Sequence, residues 1–500
     1  MSGRIYLLAL LVCWPMLASA ATGESASWIA QMVSQFASSV DAVVFAYIPG
    51  TPVRWIVLWL VIAAFVTTYY FRFVQFRQFG LALQIVRGRY SQPHHAGEVT
   101  HFQALSTAVS GTVGLGNIAG VAVAITIGGA GATIWMILLG FLSMATKFAE
   151  CTLGVKYRTV HADGSVSGGP MYYLSKGLAE RGLAQLGKVL AVVIAFFVIL
   201  GAFGAGNLFQ ANQATAQIVS YFNWADASLL GASAAFWLGL LFAAIVAVVI
   251  IGGIKSIAAV TSRLVPFMAI LYVLAALVVL AVNAGQIPAA LVTIVQSAFS
   301  LEAGLGGLVG AMMAGFQRAA FSNEAGFGSA PIAHAAVKTD EPTTEGLVAL
   351  LEPFIDTVII CTMTALVIVV TGAHLLPDLN GIEITSAAFA TVSSGFTVFL
   401  TIAVVLFAFS TMLSWSYYGL KGWTYLFGQR SAVIFKLLFC SMCVVGAVSN
   451  LTAILTLSDA AVFLMALVNI FGLYLLLPVV RAEVNGFLTK LKTGEIKPNP

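Results

Sequence analysis

Gly111, Gly114, Gly116 and Asn117 stand in the middle of an apolar span covering residues 101–140. Glycine weakens a helix by about 1 kcal/mol relative to alanine, and a backbone group released at membrane depth finds no partner in lipid. The segment 110–117, SGTVGLGN, therefore reads as a helix opened to present amides and carbonyls to something small and charged. A second interruption lies in 314–335, AGFQRAAFSNEAGFGSAPIAHA, where Arg318, Asn323, Glu324, Gly326, Gly328 and Pro331 disturb a similar span. Two such breaks in one chain leave peptide amides and carbonyls that another part of the protein, or a small charged ligand, must pair.

Other chemistries fit the residues less well. His94, His95, His101, His161, His334 and His374 show no metal-ligand spacing and sit mostly near the ends of apolar spans, which argues against a membrane enzyme. Cys440-x-x-Cys443 lies inside an apolar run and reads as membrane core, not as a redox pair. Gly114-x-Gly116-x-x-Ala119 matches part of a dinucleotide fingerprint, but no strand precedes it. Gly116-xxx-Gly120 also fits close helix packing, which leaves Gly114 and Asn117 unexplained. Lys147 with Glu150, and Glu352 with Asp356, have the spacing of charge pairs along a helix. Glu324 lies in a broken membrane segment, where a charge needs a partner, and Arg318 is a candidate.

The elements that must position these residues are apolar helices. Sixty per cent of the 500 residues are hydrophobic and 8% are charged, and the mean hydropathy is +0.99, which defines a polytopic membrane protein. The net charge of +4 reflects topology, with no nucleic-acid patch. Residues 1–20 have the layout of a signal peptide, with Arg4, an apolar run and Ala18-Ser19-Ala20. Apolar segments then follow near 53–74, 101–127, 130–155, 188–219, 229–252, 258–283, 306–337, 346–372, 386–415, 431–449 and 456–480, predicting eleven crossings. The segment 287–300 is too short to cross and is placed at the surface. The connections near 128–130, 220–228, 284–305, 373–385 and 450–455 carry no Lys or Arg, whereas the alternate connections are basic, with Arg54 the exception. That separation puts the C-terminus in the cytoplasm.

With the first span peripheral, ten helices divide into two five-helix halves of opposite orientation, each opening with an interrupted helix. The predicted division is 21–99 for a leading segment, extra helix and loop, 100–285 and 286–480 for the repeats, and 481–500 for a cytoplasmic tail. Paired broken helices in corresponding positions mark the site of a secondary transporter.

GTVGLGNIAGVAVAI (111–125), GGAGATIWMILLG (128–140), ATKFAE (145–150), GGPMYYL (168–174) and FSNEAGFGSAPIAHAA (321–336) resemble the alanine or glycine:cation symporter family, also called sodium:alanine symporters. The chain departs from the usual pattern at Ala130, Ile134 and Ile137, outside the proposed site. The resemblance implies a leucine-transporter-like fold, two inverted five-helix repeats preceded by one extra helix, all-α and set in a cell inner membrane. It implies that a substrate carboxylate rests on amides around Gly114, Leu115 and Gly116, with Thr112 beside it. Sodium would be held by carbonyls of Ser110 and Val113 and hydroxyls of Ser410 and Thr411, and Asn117 would serve the cation or the substrate ammonium. Back-bonding within their own helix is the structural alternative for Ser410 and Thr411. Phe316, Gln317 and Phe321 are expected to wall the substrate. The implied activity is sodium-coupled uptake of a small neutral amino acid such as alanine or glycine. Proton coupling through Glu324 or Glu150, sodium-coupled glutamine transport and an uncoupled channel are the alternatives.

Overall fold

A computed structural model describes residue 39 and residues 42–91, 95–300 and 307–499. The expected signal segment lies outside the described residues. Helix α1 (Trp55–Tyr70) is followed by the broken pair α2 (His101–Thr112) and α3 (Ala119–Gly128), then by α4 (Ala132–Lys156). The chain continues through α5 (Ala184–Phe222), α6 (Ala234–Ile250), α7 (Gly253–Val282) and α8 (Ile287–Phe299). A second broken pair, α9 (Gly307–Asn323) and α10 (Ala330–His334), precedes α11 (Pro342–Thr371) and α12 (Ile382–Ala390). Helices α13 (Thr397–Phe427), α14 (Ala432–Val448) and α15 (Leu451–Thr493) complete the bundle. Two short hairpins, 159–167 and 228–233, are the sheets among the described residues.

Seven of the described helices are long and apolar enough to cross a membrane, eight if α2 and α3 count as one bent span. The expected span 386–415 is divided between two helices, α12 and a longer α13 that continues to Phe427. Ser416, Tyr417, Tyr418 and Gly419, just past the expected end, are buried inside the bundle. The 13-residue α8 buries Ala290, Ile294 and Ala298 and exposes Leu291, Val292 and Val295, so it lies on the periphery as expected.

Helix α4 is central. It packs against α1, α9, α10 and α11, and Lys147 and Glu150 on it are fully buried. Helix α13 packs against α2, α5 and α7, which brings Ser410 and Thr411 to the first break. Two π-helical stretches interrupt the long spans, Gly204–Leu208 in α5 and Phe354–Cys361 in α11. A π turn shifts the facing of the side chains that follow it, and both stretches border the breaks described next.

Candidate functional site

Helix α2 starts with a capping box in which Thr100 Oγ1 accepts from the Gln103 amide and Gln103 Oε1 accepts from the Thr100 amide. It ends where Gly114 turns to an extended conformation (φ −129°, ψ −153°). One 3-10 turn, Leu115–Asn117, joins it to α3, and the two halves bend by 56°. The opened helix is therefore present in the fold. Gly114 is needed because a Cβ there would come within 2.5 Å of Thr411 Oγ1 and 3.1 Å of Gln210 Oε1.

At the second break Glu324, Gly326 and Gly328 take φ of +54°, +93° and +79°, a region glycine adopts with little strain. The released amides of Gly326 and Gly328 donate to the Glu150 carboxylate at 3.2 and 3.0 Å, and the Gly326 carbonyl accepts from Asn469 Nδ2 at 2.8 Å. Glu324 accepts from Ser329 Oγ at 2.5 Å and Trp415 Nε1 at 3.0 Å. Arg318 is not its partner. That guanidinium binds Asp459 of α15 instead, because Arg318 lies on the face of α9 turned toward α15. Breaking this buried pair leaves Asp459 uncompensated. Arg318→Ala is expected to lower stability by about 3–5 kcal/mol, read as a reduced melting temperature of the purified chain.

The two breaks meet through Asp356, on the π stretch of α11. Asn117 Nδ2 donates to Asp356 Oδ1 at 2.6 Å, while Ser322 Oγ and Thr357 Oγ1 donate to Oδ2 at 2.9 and 2.7 Å. Asp356 is fully buried, and these hydrogen-bond donors are neutral. A desolvated carboxylate favours a cation beside it. The charge pairing anticipated along α11 does not form. Glu352 turns to Lys147 at 3.4 Å, and Asp356, beyond the start of the π stretch, faces the breaks.

The expected cation ligands Ser110, Ser410 and Thr411 come together. Thr411 Oγ1 donates to the Ser110 carbonyl at 3.0 Å, and Ser110 Oγ donates to the Ser410 carbonyl at 2.6 Å. Ser410 Oγ back-bonds to Phe407 O at 3.0 Å, as the structural alternative foresaw. Val113, the C-cap of α2, is buried beside them. These are oxygen donors, suited to a hard cation.

The amides expected to receive a carboxylate already hold oxygen acceptors. Asn117 Oδ1 accepts from the Gly114 amide at 2.9 Å, and Gln210 Oε1 accepts from the Leu115 amide at 3.1 Å. Gly116 faces Phe321, whose Cδ1 is 3.4 Å from an added Cβ. Thr112 Oγ1 turns back to Ala108 and Val109 carbonyls of its own helix. Of the three expected wall residues, Phe321 borders the first break. Phe316 packs edge-on against Trp135 at 5.6 Å. Gln317 accepts from Arg54 at 2.9 Å and donates to Asp459 at 3.3 Å, lining a cleft of about 780 Å³ with Arg318, Ala124 and Met313.

Spacing gave no sign of Asp356 as the link or of Gln210 as a partner of the break. The signal for Gln210 was a polar run inside an apolar span, Gln210, Asn212, Gln213 and Gln217, next to Gly204 and Gly206.

A bundle of membrane-length helices built around two touching helix breaks has the architecture of a secondary transporter. The fold resembles the crystal structure of MhsT in complex with L-phenylalanine, with a TM-score of 0.54, 13% identity, and coverage of 78% of this chain and 99% of that one. Residues 32–499 match the sodium:alanine symporter family. The sodium/alanine symporter AgcS of Methanococcus maripaludis is 42% identical, over 85% of this chain and 92% of the relative. "Probable sodium/glutamine symporter GlnT" of Bacillus subtilis is 32% identical, over 86% of each. The chain belongs to the sodium:alanine symporter family, whose members are transporters.

Proposed function

We propose that the protein takes up a small neutral amino acid, alanine or glycine, together with sodium by alternating access. The observation that carries this reading is the contact between both helix breaks and the buried Asp356 carboxylate, which has neutral hydrogen-bond donors and room in its chemistry for a cation. Sodium would use oxygens of Ser110, Val113, Ser410 and Thr411. The substrate carboxylate would replace Gln210 Oε1 on the amides at Gly114, Leu115 and Gly116, with Thr112 beside it, and its ammonium would face Asn117 and Asp356. Phe321 restricts the space beside Gly116, which favours a small side chain. Phe316 packs against Trp135 on another face of α9, and Gln317 belongs to the approach through the cleft.

In this reading α1 is an extra helix, α2 to α7 form the first inverted five-helix repeat and α9 to α15 contain the second, giving eleven crossings of a cell inner membrane with the C-terminus in the cytoplasm. The cleft near Arg54 then opens outward. One sodium ion moving through 100 mV supplies about 2.3 kcal/mol, and a tenfold gradient adds about 1.4 kcal/mol. That suffices to concentrate a neutral amino acid somewhat more than a hundredfold. Labelled alanine entering proteoliposomes under an inward sodium gradient tests the proposal. Uptake driven equally well by a proton gradient without sodium contradicts it, and glutamine outcompeting alanine shifts the substrate assignment to the larger amide.

Thr411→Ala removes one oxygen of the cation set and the hydroxyl bonded to the Ser110 carbonyl. It is expected to raise the sodium concentration for half-maximal uptake about tenfold, the loss of about 1.4 kcal/mol, while the protein still reaches the membrane. A sodium dependence equal to wild type would remove Thr411 from the site.

A further inference from the structure

A chain of buried titratable groups lies apart from the breaks' binding oxygens and plays no role in the proposed transport step. His101 Nδ1 contacts Glu345 Oε2. The other Glu345 oxygen lies 2.6 Å from His334 Nδ1, and His334 Nε2 lies 2.5 Å from Glu352 Oε1. Lys147 Nζ stands 3.4 Å from Glu352 Oε2. All five side chains are at most 2% exposed. They join α2, α4, α10 and α11, the helices that flank both breaks.

The heavy-atom geometry fixes a proton count. A neutral imidazole has one N–H and one lone-pair nitrogen, yet both His334 nitrogens face carboxylate oxygens at hydrogen-bond distance. One contact can be an ordinary N–H···O bond. The other sets a lone pair against a carboxylate unless a further proton sits on His334 or on one of the carboxyls. Charge requires the same proton. With both glutamates ionised and Lys147 charged, the chain carries one uncompensated negative charge, and a single added proton makes it neutral.

The neighbours do not supply that charge. Lys147 also faces Glu150 and Glu324, Tyr418 of α13 faces Glu324 and Glu352, and Arg158 beyond α4 faces Glu345. Counting Arg158 with Glu150, Glu324 and Asp356 leaves this surrounding set negative by two. Cys151 Sγ approaches His334 and Glu352 closely enough to suggest a metal site. A metal would have to displace the carboxylate partners of His334 and sit near the Lys147 ammonium.

We propose that His101, Glu345, His334, Glu352 and Lys147 form a proton-binding site that holds one exchangeable proton and ties the helices flanking the two breaks together. In the folded chain the proton lets His334 bridge the Glu345 and Glu352 carboxylates, a contact the unfolded chain lacks. The stabilisation is therefore present at neutral pH and is lost as pH rises through release from the folded protein.

The test is the melting temperature of the purified full chain in detergent from pH 6 to 10, which needs no transport activity. Glu345→Gln leaves Glu352 and Lys147 balanced with His334 neutral, so this variant requires no added proton. The wild type is expected to lose several degrees more than Glu345→Gln between pH 7 and 10. Glu352→Gln removes the other carboxylate and is expected to flatten the curve in the same way, which keeps the test open if one variant folds poorly. Parallel curves for wild type and either folded variant would overturn the proposal. Flat variant curves together with no sodium-driven alanine uptake by the wild type would uphold the proton site while rejecting the transport reading.

Discussion

Asp356→Asn is expected to lower sodium-dependent alanine uptake about a hundredfold or more, with little change in the amount of protein in the membrane. Asparagine keeps the size of the side chain and can still accept from Asn117, Ser322 or Thr357, the donors seen at 2.6–2.9 Å. It removes the negative charge. Losing one member of a desolvated charge pair costs about 2–5 kcal/mol, and in the empty protein no such pair exists, so the loss falls on the loaded state. Stability of the empty chain is expected to stay level or rise, since a buried carboxylate without a cation is itself unfavourable. Unchanged uptake by Asp356→Asn would mean that the charge beside the two breaks has no part in binding.

Gly114→Ala is expected to reduce uptake by about tenfold to a hundredfold. Its Cβ would meet Thr411 Oγ1 at 2.5 Å and Gln210 Oε1 at 3.1 Å, forcing apart groups proposed to hold sodium and the substrate carboxylate. Overpacking of this kind costs about 1–3 kcal/mol. Gly120→Ala is the control, because nothing lies within 4 Å of a Cβ there. It is expected to transport like wild type. Equal damage from both variants would point to helix packing through Gly116-xxx-Gly120 as the reason for these glycines.

Both breaks were legible in the chain because glycine, asparagine and charge interrupt spans that are otherwise apolar. What faces them was less legible, since it depends on contacts between distant segments and on helix phase. Glu352 and Asp356 looked like neighbours on one face because a regular α-helix places positions four apart together. The π stretch from Phe354 to Cys361 begins between them, so Glu352 turns to Lys147 and Asp356 to Asn117 and Ser322. The histidines showed no ligand spacing because their partners come from remote positions, with His101 and Glu345 separated by 244 residues. Arg318 was matched with Glu324 by nearness in sequence, whereas its partner Asp459 lies 141 residues away. Phe316 and Phe321 are five positions apart, so they occupy different faces of α9, and Phe321 is the one beside the first break.

The polar end of the ninth expected span shows a related effect. The expected span stops at 415, whereas Ser416, Tyr418 and Gly419 continue α13 and are buried inside the bundle. Hydropathy records composition and does not distinguish a polar interior face from a polar loop. The leucine-transporter-like fold that the resemblance implied suggested Ser410 and Thr411, while the Thr411–Ser110 contact depends on how α13 crosses α2.

The proposed coupling sets sodium and the amino acid side by side at the joined breaks, each strengthening the other's binding. Its most direct test is equilibrium binding of labelled alanine to the purified protein in sodium, and in the same ionic strength of choline. The account predicts at least about fivefold tighter alanine binding in sodium, with reciprocal tightening of sodium by alanine and loss of both effects in Asp356→Asn. Alanine binding of equal strength in sodium and choline would contradict it.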